Sequence, residues 1–216
     1  MFKVPKSINV GGYKFKVTYP HQFLERTELG GLCIPLQQEI FVTDTIDGCD
    51  ERRSMQSVFE FLIHESVHAV DYVFLGGVLT EQEVVLIARG WHQVLRDNDI
   101  TVYNSTEFKL PESLNVANSI FKIVYPYEYH EYEDIIGSLD PDRIIIYLVD
   151  KFHGVPLPKD VREENFIEIV NKAILYGYFE ADHEFTDRLS YKVFGMGMYL
   201  LFKYNNFEKW AKQCGC

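Results

Sequence analysis

Apolar and polar residues alternate along Tyr13-Lys-Phe-Lys-Val-Thr-Tyr19, the two-residue period of a strand that buries one face. Gly11-Gly12 just before it can make a tight turn, so residues 7–19 read as a β-hairpin, and Gln38-Glu-Ile-Phe-Val-Thr43 reads as a third strand. Further on the period changes to that of helices, over 51–74 and 81–97. The same succession returns in the second half: strands in 113–125, another over 143–148, then helices over 163–178 and 185–204.

That return is a true repeat. Residues 7–44 align with 113–150 without a gap at a constant shift of 106, and twelve of the 38 positions are identical, among them Asn9/Asn115, Phe15/Phe121, Pro20/Pro126, Gly31/Gly137 and Asp44/Asp150. The repeat decides one ambiguity. Asp140-Pro-Asp-Arg alone looks like a helix start, yet its twin is strand-like, so 143–148 is taken as a strand. At a shift of 107 the similarity continues more weakly, pairing 79–98 with 186–205 through Gly90/Gly197, Asn98/Asn205 and a shared apolar pattern. The expected fold is α+β: two tandem copies, 1–108 and 109–216, each a small antiparallel sheet followed by two helices, packed together as a pseudo-dimer. The boundary falls in the polar stretch 104–113.

Composition narrows the function. The 216 residues are 47% hydrophobic, enough for a packed core. A formal charge of −11 repels phosphate polymers and anionic lipid, which disfavours nucleic acid and membrane surfaces as partners. No run approaches a bilayer span and the start lacks the apolar stretch of a secretion signal, so a cytoplasmic protein is expected. The four cysteines are expected to be thiols, and Cys214-Gly-Cys216 has no partner pair with zinc-knuckle spacing.

The chemistry is concentrated in Phe61-Leu-Ile-His64-Glu65-Ser-Val-His68-Ala-Val-Asp71. Four helical residues put His64 and His68 about 6 Å apart along one face, where both imidazoles can reach a single cation. Glu65 lies about 100° around from His64, out of reach of the same tetrahedron but able to take a proton from a water bound to the metal. A catalytic zinc wants a third protein ligand and leaves its fourth position to water. Glu81, Glu83 and His92 are within reach on the next helix. Glu83 shares a face with Ile87, Gly90 and Val94, but Thr80-x-x-Glu83 is equally a capping box, in which Glu83 closes its own helix start. Asp71 could accept the other ring N–H of a ligand histidine or simply face solvent. His92, His130, Tyr72 and Tyr103 are all candidates to stabilise an oxyanion.

The run I-H-E-S-V-H-A-V-D followed by L-T-E-Q-E-V-V-L-I-A-R-G-W resembles the zincin metallopeptidases of the ImmA/IrrE-like group, and more closely the small predicted metallopeptidases of bacteriophages and prophages. The resemblance covers about residues 5–98. It implies Zn2+ held by His64, His68 and Glu83, Glu65 as general base and acid in peptide hydrolysis, a protein or peptide substrate, and work in a host cytoplasm if phage-encoded. In copy two, aligned by apolar residues, Asn171-Lys172-Ala-Ile-Leu175 stands where H-E-x-x-H stands in copy one, and Ser190 matches Glu83. A pseudo-domain without metal ligands is therefore expected there, either shaping a groove or adding buried surface. The rival to a peptidase is a regulatory or protein-binding module with a structural or vestigial zinc site. The Tyr125–Tyr132 run reads as strand and loop packing.

Overall fold

The Gly11-Gly12 turn takes the conformation that a two-residue hairpin needs, both glycines having positive φ (54° and 88°). It joins β1 (Ser7–Val10) to β2 (Tyr13–Thr18). In copy two the same backbone is made by Ala117 and Asn118 (48° and 65°), between β5 (Ser113–Val116) and β6 (Ser119–Val124). These elements come from a computed structural model that describes residues 3–46, 49, 51–98, 100, 107–129, 135–179 and 191–214.

Each sheet has four strands where three were expected, and it is mixed rather than antiparallel. β3 (Gly31–Ile34) is the addition, lying at the sheet edge in the order β1-β2-β4-β3. The chain leaves β2, crosses to the far edge as β3, turns tightly through Pro35–Gln37 and returns as β4 (Glu39–Val42) into the gap. That return makes β4 antiparallel to β3 and parallel to β2. β3 is hard to read from sequence because Gly31-Leu-Cys-Ile34 has no polar–apolar alternation.

Copy two repeats this with β7 (Gly137–Asp140) and β8 (Ile145–Leu148), in the order β5-β6-β8-β7. The register is preserved pair by pair at the shift of 106: Lys16↔Glu39 becomes Lys122↔Ile145, and Gly31↔Val42 becomes Gly137↔Leu148. Gln38 and Ile144, both left-handed at φ 53° and 57°, occupy equivalent turns. A short hairpin, β9 (Lys151–Phe152) with β10 (Val155–Pro156), follows β8.

The helices are α1 (Met55–Val70), α2 (Glu81–Asp97), α3 (Lys159–Phe179), α4 (Tyr191–Tyr204) and α5 (Phe207–Gln213). α1 starts later than expected because the Ser54 hydroxyl caps it, accepting from the Ser57 N–H. It ends in one wide π-type turn, Asp71–Leu75, closed by Gly76 at φ 81°. The stretch 185–190, expected to open α4, lies outside the described residues. Among those residues no helix is long and apolar enough to cross a membrane.

The two copies share one core. α1 packs on β1, β3 and β4 of its own sheet, and α3 likewise on β5, β7 and β8, but the second helices cross over: α2 lies on β5 and α4 on β1. Two asparagines at equivalent positions fasten the exchange. Asn98 at the end of α2 accepts from the Asn115 N–H (2.7 Å) and donates to the Asn115 carbonyl (3.0 Å); Asn205 after α4 does the same with Asn9 (2.9 and 2.8 Å). At the centre the fully buried Trp91 donates its indole N–H to the Asn171 side-chain Oδ1 at 2.6 Å. Gly90 lets α2 approach α3, since a Cβ there would overlap the Ile174 side chain. The pseudo-dimer is thus one folding unit. Trp91→Phe, which strands a buried Asn171 oxygen, is expected to cost about 1–3 kcal/mol and to lower a single urea transition of the whole chain. Two separated transitions would show that the halves fold independently.

Candidate metal centre

One turn of α1 brings the His64 and His68 Nε2 atoms to 3.1 Å from each other. Two nitrogens bound to one tetrahedral zinc at about 2.0–2.1 Å lie about 3.3 Å apart, so the pair has the spacing of adjacent ligands. The carboxylate facing them belongs to Glu81. Its Oε1 is 3.1 Å from His64 Nε2 and its Oε2 is 3.1 Å from His68 Nε2. Three side chains from two helices therefore converge with a spacing and donor chemistry that could hold a metal ion, and Glu65 offers a carboxylate oxygen within 4.8 Å of both imidazoles.

Glu83, expected to be the third ligand, is held elsewhere. Its Oε2 accepts from the Thr80 N–H (2.6 Å) while the Glu83 N–H donates to Thr80 Oγ1 (3.3 Å), the reciprocal capping box of α2. The sequence signal for Glu81 was present in that box. Once Thr80 claims Glu83, the glutamate two positions earlier remains to face α1.

Asp71 is buried, and it serves the backbone rather than an imidazole. Its carboxylate accepts from the Val78 and Leu79 N–H groups at 3.1–3.3 Å. Burial raises its pKa, and those two bonds and the nearby His68 oppose the rise. The bonds hold the chain just before Thr80, so Asp71 fixes where α2 begins and hence where Glu81 stands.

Glu65 lies beneath β3, 3% exposed, with Oε1 3.9 Å from His64 Nε2. Gly31 makes room for it, because a Cβ at that position would sit 2.5 Å from Glu65 Oε1. Burial above all, and then the Glu81 charge, push the Glu65 carboxyl up to about 8, against a backbone hydrogen bond from Cys33. Burial and the neighbouring His68 push His64 in the opposite direction, to about 4, partly offset by Glu81. A neutral imidazole is the form that binds a metal.

The centre opens into a cleft of about 420 Å³ between the β3 edge, with Leu29, Gly30 and Gly31, and the helix faces carrying Phe61, His64 and Val85. His92 does not line this cleft; its half-buried ring, whose pKa burial lowers, borders an adjoining cavity. Tyr72 is exposed in the π-type turn. Tyr103 and His130 lie outside the described residues.

Copy two is built differently at the matching place. Gly90 meets Ile174 as Gly197 meets Val70, and His92 stacks near Phe59 as Tyr199 reaches Glu163. These contacts set α3 against α1 at a shift of 104, so Glu168 and Lys172, rather than the expected 171–175, stand where His64 and His68 stand. They form an ion pair at 2.7 Å. The second helices keep the shift of 107 seen in Gly90/Gly197, so a gap of three residues between the first and second helices explains why an alignment by apolar residues slipped by three. The Ser190 match to Glu83 lies outside the described residues. No family model, curated protein or solved structure matches this chain.

The opposed shifts predict a pH dependence for chelator-treated protein. Between its ordinary 4.5 and about 8, Glu65 keeps in the folded state a proton that the unfolded chain has lost, so stability falls as pH rises through that window. Between about 4 and 6.5, unfolded His64 binds a proton that the folded state does not, so its contribution rises with pH. The two slopes oppose below 6.5, and Glu65 alone acts above it. Urea unfolding should therefore show a loss from pH 6.5 to 8, and Glu65→Gln should remove that loss.

Proposed function

We propose that this chain is a zinc-dependent peptidase, similar to the ImmA/IrrE-like zincins, working on a protein or peptide in a cytoplasm. The observation that carries the reading is the Glu65 carboxyl, buried beside an imidazole pair at the wall of an open cleft, where a structural metal site needs no such group. His64, His68 and Glu81 would hold the ion. Zinc bound there supplies a Lewis acid for the scissile carbonyl and lowers the pKa of its water toward 7. In the metal-free protein Glu65 holds its proton at neutral pH; ionised beside a bound cation, whose charge favours the carboxylate, it would accept the proton of the attacking water and return it to the leaving amine. His64, held neutral by burial, and His68, one turn on, orient the reaction centre. β3, the open edge of its sheet, offers backbone N–H and C=O groups to an extended peptide lying in the cleft. The described cysteines, Cys33, Cys49 and Cys214, are thiols, as a reducing compartment would keep them.

One feature favours the rival reading of a protein-binding module. Copy two keeps the whole fold with an ion pair where the histidines stand, so the scaffold has a use without metal chemistry. Turnover separates the two. Zinc-loaded wild type and Glu65→Gln are compared on a cell proteome by sequencing new peptide ends: wild type should make ends that the variant does not, while both retain one zinc. Equal activity would remove Glu65 as the base, and no cleavage by either would favour the binding module. For the ligand set, Glu81→Ala should weaken zinc binding by about 10–100-fold in a competition titration with a chelator. Glu83→Ala should leave affinity nearly unchanged and cost about 1 kcal/mol of stability through the lost cap.

A further inference from the structure

The cleft at the metal centre does not end at its own walls. Ser57, Glu60 and Arg89 border both it and a second cavity of about 500 Å³, so the two spaces adjoin along the seam between α1 and α2. The seam has regular sides. From the Ser54 cap along α1, Ser57, Glu60 and His64 follow one another at helical spacing, and on antiparallel α2 the matching stripe is Arg96, His92, Arg89, Val85 and Glu81. From His64 to Ser57 or Ser54 is about 10–15 Å along the axis, the reach of about three to five extended residues.

The far end differs in charge from the metal end. Every side chain around it is polar, and its lining holds two arginines against one acid. Arg89 meets that acid, Glu60, at 3.6 Å with 61% of its side chain exposed, a loose pair that an incoming carboxylate can displace. Arg96 also lines the space, while its partner Asp97 does not. The first turn of α1, which opens on the same cavity, carries no acidic residue to offset its helix dipole. Copy two closes the far wall with Asn118 and Tyr178. The Tyr178 hydroxyl and the Ala117 N–H both donate to Gln93 Oε1 at 2.9 Å, so this wall is locked to α2.

We propose that this second cavity is an anchoring subsite for a peptide carboxylate, read by Arg89 with Arg96 behind it, which selects substrates bearing a negative group three to five residues from the bond held at the metal centre. The shared chemistry is the carboxylate, whether an acidic side chain or the free C-terminus of the peptide. In a protein of net charge −11, two arginines side by side are a local exception; Arg96 is held bidentately by Asp97, so the exposed and loosely paired Arg89 is the group left to sort acidic peptides from the rest. The subsite also gives copy two a part in recognition, since two of its residues form the wall. The inference rests on the peptidase reading for the direction in which the peptide lies.

The test reads binding separately from turnover. Fluorescein-labelled octa-alanine peptides, each with one Glu or one Gln scanned along the chain and made as the C-terminal acid or the amide, are titrated into the Glu65→Gln protein by fluorescence polarisation. Probes with a carboxylate should bind at least about tenfold tighter than the Gln amide. Arg89→Gln should erase the difference, Arg96→Gln should reduce it, and Glu60→Gln, which frees Arg89, should enlarge it; circular dichroism spectra check that each variant is folded. A preference that follows Glu in the amide series identifies the side chain, and one confined to the acid series identifies the C-terminus. Equal binding of all probes, or a preference that survives Arg89→Gln in folded protein, would overturn the proposal. A carboxylate preference in protein that cleaves nothing would refute the peptidase reading and leave the subsite standing.

Discussion

Two backbone N–H groups on one buried carboxylate set the geometry of the centre. Asp71 receives Val78 and Leu79 at the end of α1, so the loop between the helices cannot drift. α2 must then start where its first residue, Glu81, meets the imidazoles of α1. Without that anchor the His64–His68 pair would be a local feature of one helix, and the third group would be a glutamate at a loose helix end. The Thr80–Glu83 box adds a second fix at the same point. The site is therefore positioned mainly by backbone hydrogen bonding just outside it.

The sequence carried what is local and what is repeated. The H-E-x-x-H pair could be read from helical spacing alone, and the duplication marked 143–148 as a strand against a misleading helix start; of these residues Ile145–Leu148 are strand and the ones before them are a turn. Glu81 was harder, because choosing between two glutamates two positions apart depends on which one the cap consumes. β3 has no alternating pattern and is defined by its partner β4, a pairing across the sheet that no window of sequence contains. The Asp71 contacts have the same character: the acceptor and its donors are seven and eight residues apart, joined by a turn of unusual width.

The halves also show which positions the scaffold needs apart from the chemistry. Gly90/Gly197 and Asn98/Asn205 are the identical pairs in the weakly similar second helices, and all four sit where one copy meets the other. At the candidate ligand positions, by contrast, His64 and His68 of one copy are matched in the other by Glu168 and Lys172, a part-buried ion pair one helical turn apart.

The crossing of α2 and α4 onto each other's sheets has a consequence for how such a molecule could change over time. Neither half can be trimmed away without uncovering the interior of the other, so the duplicate is retained for its shape whatever becomes of its original task. A half kept for that reason is free to acquire new surface chemistry, and the wall that Asn118 and Tyr178 build beside the other half's cleft is where such a change would first be felt.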